Sequence, residues 1–149
     1  MEAQGLVGVI AQCNLALTRH QGTVRGLHYQ VPPAAEAKLV RCIRGAIYDV
    51  IVDLRPESPT YLEHLGVELS AENRVQFCVP EGFAHGYQAL ADDTEIIYMV
   101  SQFHAPQHEA GLRYDDPLLG IQWPLPVSLV SGKDSSWPLL DRSHSHGHS

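Results

Sequence analysis

The sequence predicts an all-β protein, a sandwich or double-sheet barrel, and three observations carry that reading. Short runs of alternating apolar and polar residues follow one another from Lys38 to Val100. Turns built from Gly, Pro and Asp separate those runs, as they do in sheet proteins. No segment before residue 103 carries an apolar stripe at helical spacing. Beyond Phe103 the chain becomes irregular, rich in Pro, Asp and Gly, and is expected to pack as loops with short helical turns.

The elements follow in order. Val7 to Ala11 is a short strand candidate leading into Gln12-Cys13-Asn14, and Thr18 to Gln21 is a polar loop. The strand that holds His28 must end at Val31-Pro32-Pro33, because proline cannot donate to a ladder. Lys38 to Arg44 resumes as a strand and Gly45 turns the chain. Ala46 to Leu54 alternates, with Tyr48, Val50, Val52 and Leu54 on one face and Ile47, Asp49, Ile51 and Asp53 on the other. A Pro- and Ser-containing turn over Arg55 to Pro59 leads to a strand over Leu62 to Leu69. Arg74 to Val79, Phe83 to Leu90 and Thr94 to Val100 complete the set, separated by turns at Pro80 to Gly82 and Asp92-Asp93.

A chain of 149 residues can bury a substantial core, and it reads as a single domain over residues 1–142. The His-rich, low-complexity stretch 143–149 is expected to be disordered. A net charge of −7 argues against nucleic acid or a membrane surface as partner, yet leaves room for a nucleotide held by a few local cations. Cys13, Cys42 and Cys78 form no Cys-x-x-Cys pair and read as buried thiols in a reducing compartment. No charged-then-apolar segment opens the sequence and no apolar run approaches about 18 residues, so a soluble, cytoplasmic protein is expected.

Two stretches carry candidate chemistry. Gly22 to Gln30 sets Arg25, a fixed cation suited to phosphate, close to His28, which exchanges protons near neutral pH. Taken alone, the plainer reading is a solvated arginine and a half-buried histidine. Pro80-Glu81-Gly82-Phe83-Ala84-His85-Gly86 makes a tight corner that can direct His85 into a barrel. Its Pro-x-Gly-x-x-His pattern matches half of the cupin metal signature. The other half, His-x-His followed by glutamate, is missing, which favours a pocket without metal. Tyr98, Lys38 and Asp134 each have an ordinary reading as core tyrosine, edge charge and loop or capping residue.

The motifs taken in order narrow the choice. They run Arg25-Gly26-Leu27-His28-Tyr29-Gln30, Ala37-Lys38-Leu39-Val40-Arg41, Tyr48-Asp49-Val50, Val52-Asp53-Leu54-Arg55 and Ser58-Pro59-Thr60. Gly66 to Asn73, Pro80 to Gly86, Asp115-Asp116-Pro117 and Gly120-Ile121-Gln122-Trp123-Pro124 follow. From about Gln12 to Asp134 this series resembles the dTDP-4-dehydrorhamnose 3,5-epimerase family, the RmlC-like cupins of deoxysugar biosynthesis.

The resemblance implies a cupin jelly roll, a homodimer, and an isomerase that needs neither metal nor organic cofactor. Its substrate would be a TDP-linked 4-keto-6-deoxyhexose, epimerised at C3, C5 or both. By motif match His28 corresponds to the catalytic base, Asp134 to its dyad partner, Tyr98 to the proton donor and Lys38 to the lysine near the ketone. Gln12, Asn14, Arg25, His85, Glu109 and Lys133 fall at substrate-binding positions. The sequence departs from the family at Cys13, where aspartate is frequent, and at Met99, where lysine is common. The family's opening segment, with Asp-x-Arg-Gly and a following glutamate, has no counterpart ahead of Gln12. In the family that segment helps complete the partner's site, so an altered substrate affinity or dimer arrangement is expected. Two other classes of function stand beside the epimerase: a cupin that binds a nucleotide sugar without turning it over, and a metal-dependent cupin enzyme, which the absent His-x-His disfavours.

Overall fold

The alternating runs become strands in the computed structural model, which describes residues 10–140. They are β1 (Gln12–Thr18), β2 (Thr23–Gln30), β3 (Lys38–Arg44), β4 (Ala46–Asp53), β5 (His64–Ser70), β6 (Gln76–Val79), β7 (Phe83–Ala89) and β8 (Thr94–Val100). Two short strands, β9 (Glu109–Gly111) and β10 (Leu129–Val130), and a single-turn helix α1 (Gly132–Ser135) lie in the C-terminal part. One sheet has the order β1-β8-β3-β6; the other has the order β10-β2-β7-β4-β5, with β9 also on β2. The arrangement is a jelly roll, antiparallel throughout except where β10 runs parallel to β2.

Strand parity sorts the core. Val40, Cys42, Ile47, Ile51, Leu69, Val79, Tyr87 and Ile96 fill the interior between the sheets. Leu27, Val50, Val52 and Ala84 point to the opposite side of the second sheet, where Leu112 and Leu119 cover them. Trp123 seals that outer layer, with its ring edge-on to Tyr48 at 6.3 Å and its indole N–H donating to the Tyr114 carbonyl at 3.0 Å. Each aliphatic side chain buried there stabilises the fold by about 1.5–3 kcal/mol. That burial holds an irregular segment firmly against the sheet.

The faces of β4 follow the alternation read from sequence, but both are covered. Asp49 and Asp53 therefore point inward and are buried. Asp53 is satisfied locally: it accepts hydrogen bonds from Arg55, Ser58 and Thr60 and so fixes the turn after β4.

Several boundaries differ from those expected. The first strand is Gln12–Thr18, not Val7 to Ala11; Ile10 and Ala11 lie outside any strand, and residues 7–9 lie outside the described residues. Its exposed face carries Leu15 and Leu17, which blurs the alternation of an edge strand. β5 starts at His64 rather than Leu62, because Leu62 takes a turn conformation with φ 68°. β6 starts at Gln76 because Arg74, with φ 57°, is still part of the preceding turn. Cys42 is buried, but Cys13 lies on the outer face of the edge strand β1 and is exposed, contrary to the expectation for all three thiols. The stretch 143–149, expected to be disordered, lies outside the described residues.

Candidate active site

The site begins with an irregularity in β2. Arg25 pairs with Tyr87 and His28 with His85, so a three-residue step on β2 opposes a two-residue step on β7. In a regular strand, residues three apart face opposite sides. The extra residue returns both side chains to one side, the effect of a bulge. Gly26 makes this possible. Its φ is 111°, and a Cβ there would stand 2.7 Å from Gly86 Cα and 2.8 Å from the His85 carbonyl oxygen. Arg25, His28, His85 and Tyr87 consequently line one cavity of about 150 Å³.

The C-terminal segment supplies the partner of His28. β10 pairs in parallel with the start of β2, Leu129 opposite Thr23 and Val130 opposite Val24. The chain then turns into α1, where Ser131 Oγ accepts from the Asp134 amide at 3.0 Å. This delivers the Asp134 carboxylate to β2. Asp134 Oδ1 lies 2.6 Å from His28 Nε2, and Oδ2 accepts from the Gly26 amide at 3.1 Å. Trp137 adds an indole N–H to Oδ1 at 3.3 Å and sets its ring edge-on to His28 at 6.3 Å. Burial opposes ionisation of Asp134, but the bonds from His28, Gly26 and Trp137 outweigh it and hold the carboxyl below its ordinary range.

The opposite wall comes from the other sheet. Gln12, Val100 and Lys38 form one cross-strand row over β1, β8 and β3; Asn14, Tyr98 and Val40 form the next. Gln12, Asn14, His28, Lys38, Tyr98 and Glu109 share a cavity of about 380 Å³. A neighbouring cavity of about 490 Å³, apolar around Pro32, Leu54 and Phe83, also reaches His28 and Lys38. Burial pulls the Lys38 ammonium below the ordinary lysine range, against the carboxylates of Glu36, Asp49 and Glu109. Burial also pushes the Tyr98 hydroxyl up; Glu36 reinforces the rise and Arg25 opposes it.

The remaining predicted residues gather around this centre. His85 Nε2 contacts Asp49 Oδ1 at 2.6 Å, and burial pulls the His85 ring below the ordinary histidine range although Asp49 opposes it. Arg25 donates to Thr18 Oγ1 at 3.0 Å and to the Leu17 carbonyl at 3.2 Å, leaving an exposed cation at the cleft. Lys133 does not line these cavities; it is tied to the cleft through a 2.7 Å ion pair with Glu109. Thus all ten residues singled out from the sequence lie in or directly behind one cleft. Sequence reasoning missed Glu36, Asp49, His104 and Trp137. The inward parity of Asp49 with Ile47 and Ile51 was a usable signal. Trp137 had none, since its placement depends on where β10 docks.

A model of the dTDP-4-dehydrorhamnose 3,5-epimerase family matches residues 1–142. The chain belongs to this family. The family member from Sinorhizobium fredii is 50% identical over 135 residues, covering 90% of this chain and 69% of the relative. The one from Shigella flexneri is 46% identical over 114 residues, covering 76% and 63%. A Streptomyces niveus relative, a dTDP-4-dehydrorhamnose 3-epimerase, is 38% identical over 98% of this chain and 70% of its own length. This chain spans about two thirds of the length of these curated relatives. Among solved structures, the Bacillus anthracis 3,5-epimerase with TDP and pyrophosphate bound superposes with a TM-score of 0.90 at 42% identity, covering 93% of this chain and 79% of that one. The Legionella pneumophila 3,5-epimerase in complex with dTDP-4-keto-L-rhamnose gives 0.86 at 38% identity, covering 93% and 73%. The 3,5-epimerase family is thus matched in both sequence and cupin fold.

Proposed function

We propose that this chain epimerises a TDP-linked 4-keto-6-deoxyhexose, at C3, C5 or both, in deoxysugar biosynthesis. The observation that carries the reading is His28 on one sheet, backed by Asp134 from α1, facing Tyr98 and Lys38 on the other sheet across one cleft. A proton beside a ketone becomes removable when charge developing on the carbonyl oxygen is stabilised. The Lys38 ammonium supplies that stabilisation. The free ring nitrogen of His28 takes the proton, and Asp134 holds the ring and stabilises the imidazolium that forms. The C–H pair becomes the C=C of an enolate. Tyr98 then returns a proton to the same carbon from the other face, the ketone re-forms, and the configuration is inverted. His28 and Tyr98 regain their starting protonation by exchange with water, so the reaction is a net isomerisation.

Arg25 is assigned to the diphosphate, for which its fork geometry is suited. Gln12, Asn14, His85, Glu109 and Lys133 are assigned to binding the rest of the nucleotide sugar. A homodimer belongs to the same reading, supported by the exposed Leu15 and Leu17 on the edge strand β1. A cytoplasmic location is supported by three free thiols, and no helix among the described residues is long and apolar enough to cross a membrane. A purely binding role would fit a cleft lacking one of the proton-transfer groups, and none is lacking here.

The test is incubation with TDP-4-keto-6-deoxyglucose in D2O. Deuterium is expected at C3 or C5, and His28→Ala abolishes the labelling. Absence of exchange with wild-type protein on any sugar of this class would overturn the proposal, and the labelled carbons identify the position of epimerisation.

A further inference from the structure

Glu36 lies in the cleft and has no part in the proton transfers above. It sits in the loop before β3, lines both larger cavities, and is 12% exposed. Its Oε2 is 3.9 Å from Lys38 Nζ, on a lysine side chain that is itself 12% exposed. A lysine so removed from water loses hydration that stabilises its charge, so it needs a nearby anion to remain an ammonium.

The surroundings of Lys38 narrow the choice of anion. Asp49 from β4 also faces it: its Oδ1 contacts His85 Nε2 from β7 at 2.6 Å, and its Oδ2 is buried without a hydrogen-bond partner among the described residues. Yet the carboxylate within ion-pair distance of Lys38 Nζ is that of Glu36. Glu109 from β9 also faces it but is engaged with Lys133 at 2.7 Å. His28 and Arg25 from β2 and Tyr98 from β8 share cavity walls with Lys38 and supply no carboxylate, and Arg55 and Glu81 line the outer apolar cavity. Glu36 in turn faces His104, Glu109 and His28 besides Lys38. Among the described residues, Glu36 is the acid that forms an ion pair with Lys38.

We infer that Glu36 is a positioning residue: its carboxylate holds Lys38 as an ammonium aimed into the cleft, where the ketone oxygen of the substrate would lie. The inference rests on the epimerase reading for what the ammonium does, while the charge coupling itself stands apart from turnover. Burial raises the Glu36 carboxyl above its ordinary range, with Lys38 the main opposing influence. Glu36 also raises the Tyr98 hydroxyl. One carboxylate thus keeps protons on both groups that must carry them.

The test titrates Lys38 directly, by the ¹³Cε NMR signal assigned through its loss in Lys38→Arg. In Glu36→Gln and in the smaller Glu36→Ser the midpoint is expected to move to lower pH, and in Glu36→Asp to return toward wild type. The alkaline limb of kcat/KM is expected to move the same way, so that activity at pH 9 relative to pH 7 falls about tenfold. An unmoved Lys38 midpoint in a folded, charge-removed variant would overturn the inference. Wild-type protein that fails to turn over the sugar would overturn the epimerase reading alone, since the titration still decides the coupling.

Discussion

Asp134 Oδ1 and His28 Nε2 lie 2.6 Å apart although 106 residues separate them in the chain. The contact joins a strand at the heart of one sheet to a single helical turn that reaches it only through β10. Asp134→Asn keeps the shape but removes the charge that stabilises an imidazolium. The expected result is a loss of about 10²–10⁴ in kcat with little change in KM, measured by sugar epimerisation.

The same carboxyl links the fold to pH. Its native pKa is depressed, so its stabilisation is fully present above the unfolded value of about 3.9 and is lost as pH falls through the lower native value. Thermal melts at falling pH should show wild type losing stability below about pH 4 more steeply than Asp134→Asn. Parallel curves for the two proteins would contradict this coupling.

Tyr98→Phe separates removal of the proton from its return. On the proposed mechanism His28 still takes the proton, but the opposite face has no donor. Solvent deuterium should enter the sugar with retained configuration, while inverted product falls by about 10²-fold or more. The ¹H NMR spectrum of one reaction mixture reads both quantities.

Lys38→Met matches the side-chain bulk without the charge. The ketone then loses its cation, and kcat should fall about 10²–10³-fold. The change also leaves the Glu36 carboxylate buried without its cation, so the melting temperature of Lys38→Met is expected to fall, and pairing it with Glu36→Gln is expected to restore it. Activity lost in both variants, with stability recovered only in the double one, separates the role of Lys38 in the reaction from its role in the fold.

Gly26→Ala probes the irregularity in β2. A methyl group there would overlap Gly86 and the His85 carbonyl, in a backbone conformation with φ 111° that L side chains rarely adopt. The expected cost is about 1–3 kcal/mol in denaturant unfolding. Activity should fall further than stability does, because Arg25 and His28 leave their common side.

The strands from β2 to β8 were legible because runs of strand-forming residues and Gly, Pro and Asp turns mark them directly, whereas β1 was displaced because exposed Leu15 and Leu17 blur its alternation. Arg25 and His28 show the limit of that legibility. A three-residue spacing sends them to opposite faces in any regular strand, and the bulge that unites them depends on β7. The role of β4 was half legible: its two faces were readable, but the cover over the outer one comes from Leu112, Leu119 and Trp123, far along the chain. β9 and β10 are too short to carry a period, so the sequence reads as irregular there. The likeness of ordered motifs to a known family reached Asp134, where local pattern could not. Glu36 escaped both approaches, since a loop acid two residues before a strand reads as solvated surface.

The parallel docking of β10 on β2 also makes the proposed base depend on a segment outside the eight-strand roll. The jelly roll from β1 to β8 holds the proposed base, lysine, acid and phosphate-binding arginine without the last strand. The pairing of Leu129 and Val130 with Thr23 and Val24 is what brings Asp134 to His28. Damage to that segment is expected to strip the dyad of its charge while leaving Arg25, Lys38 and Tyr98 on their strands.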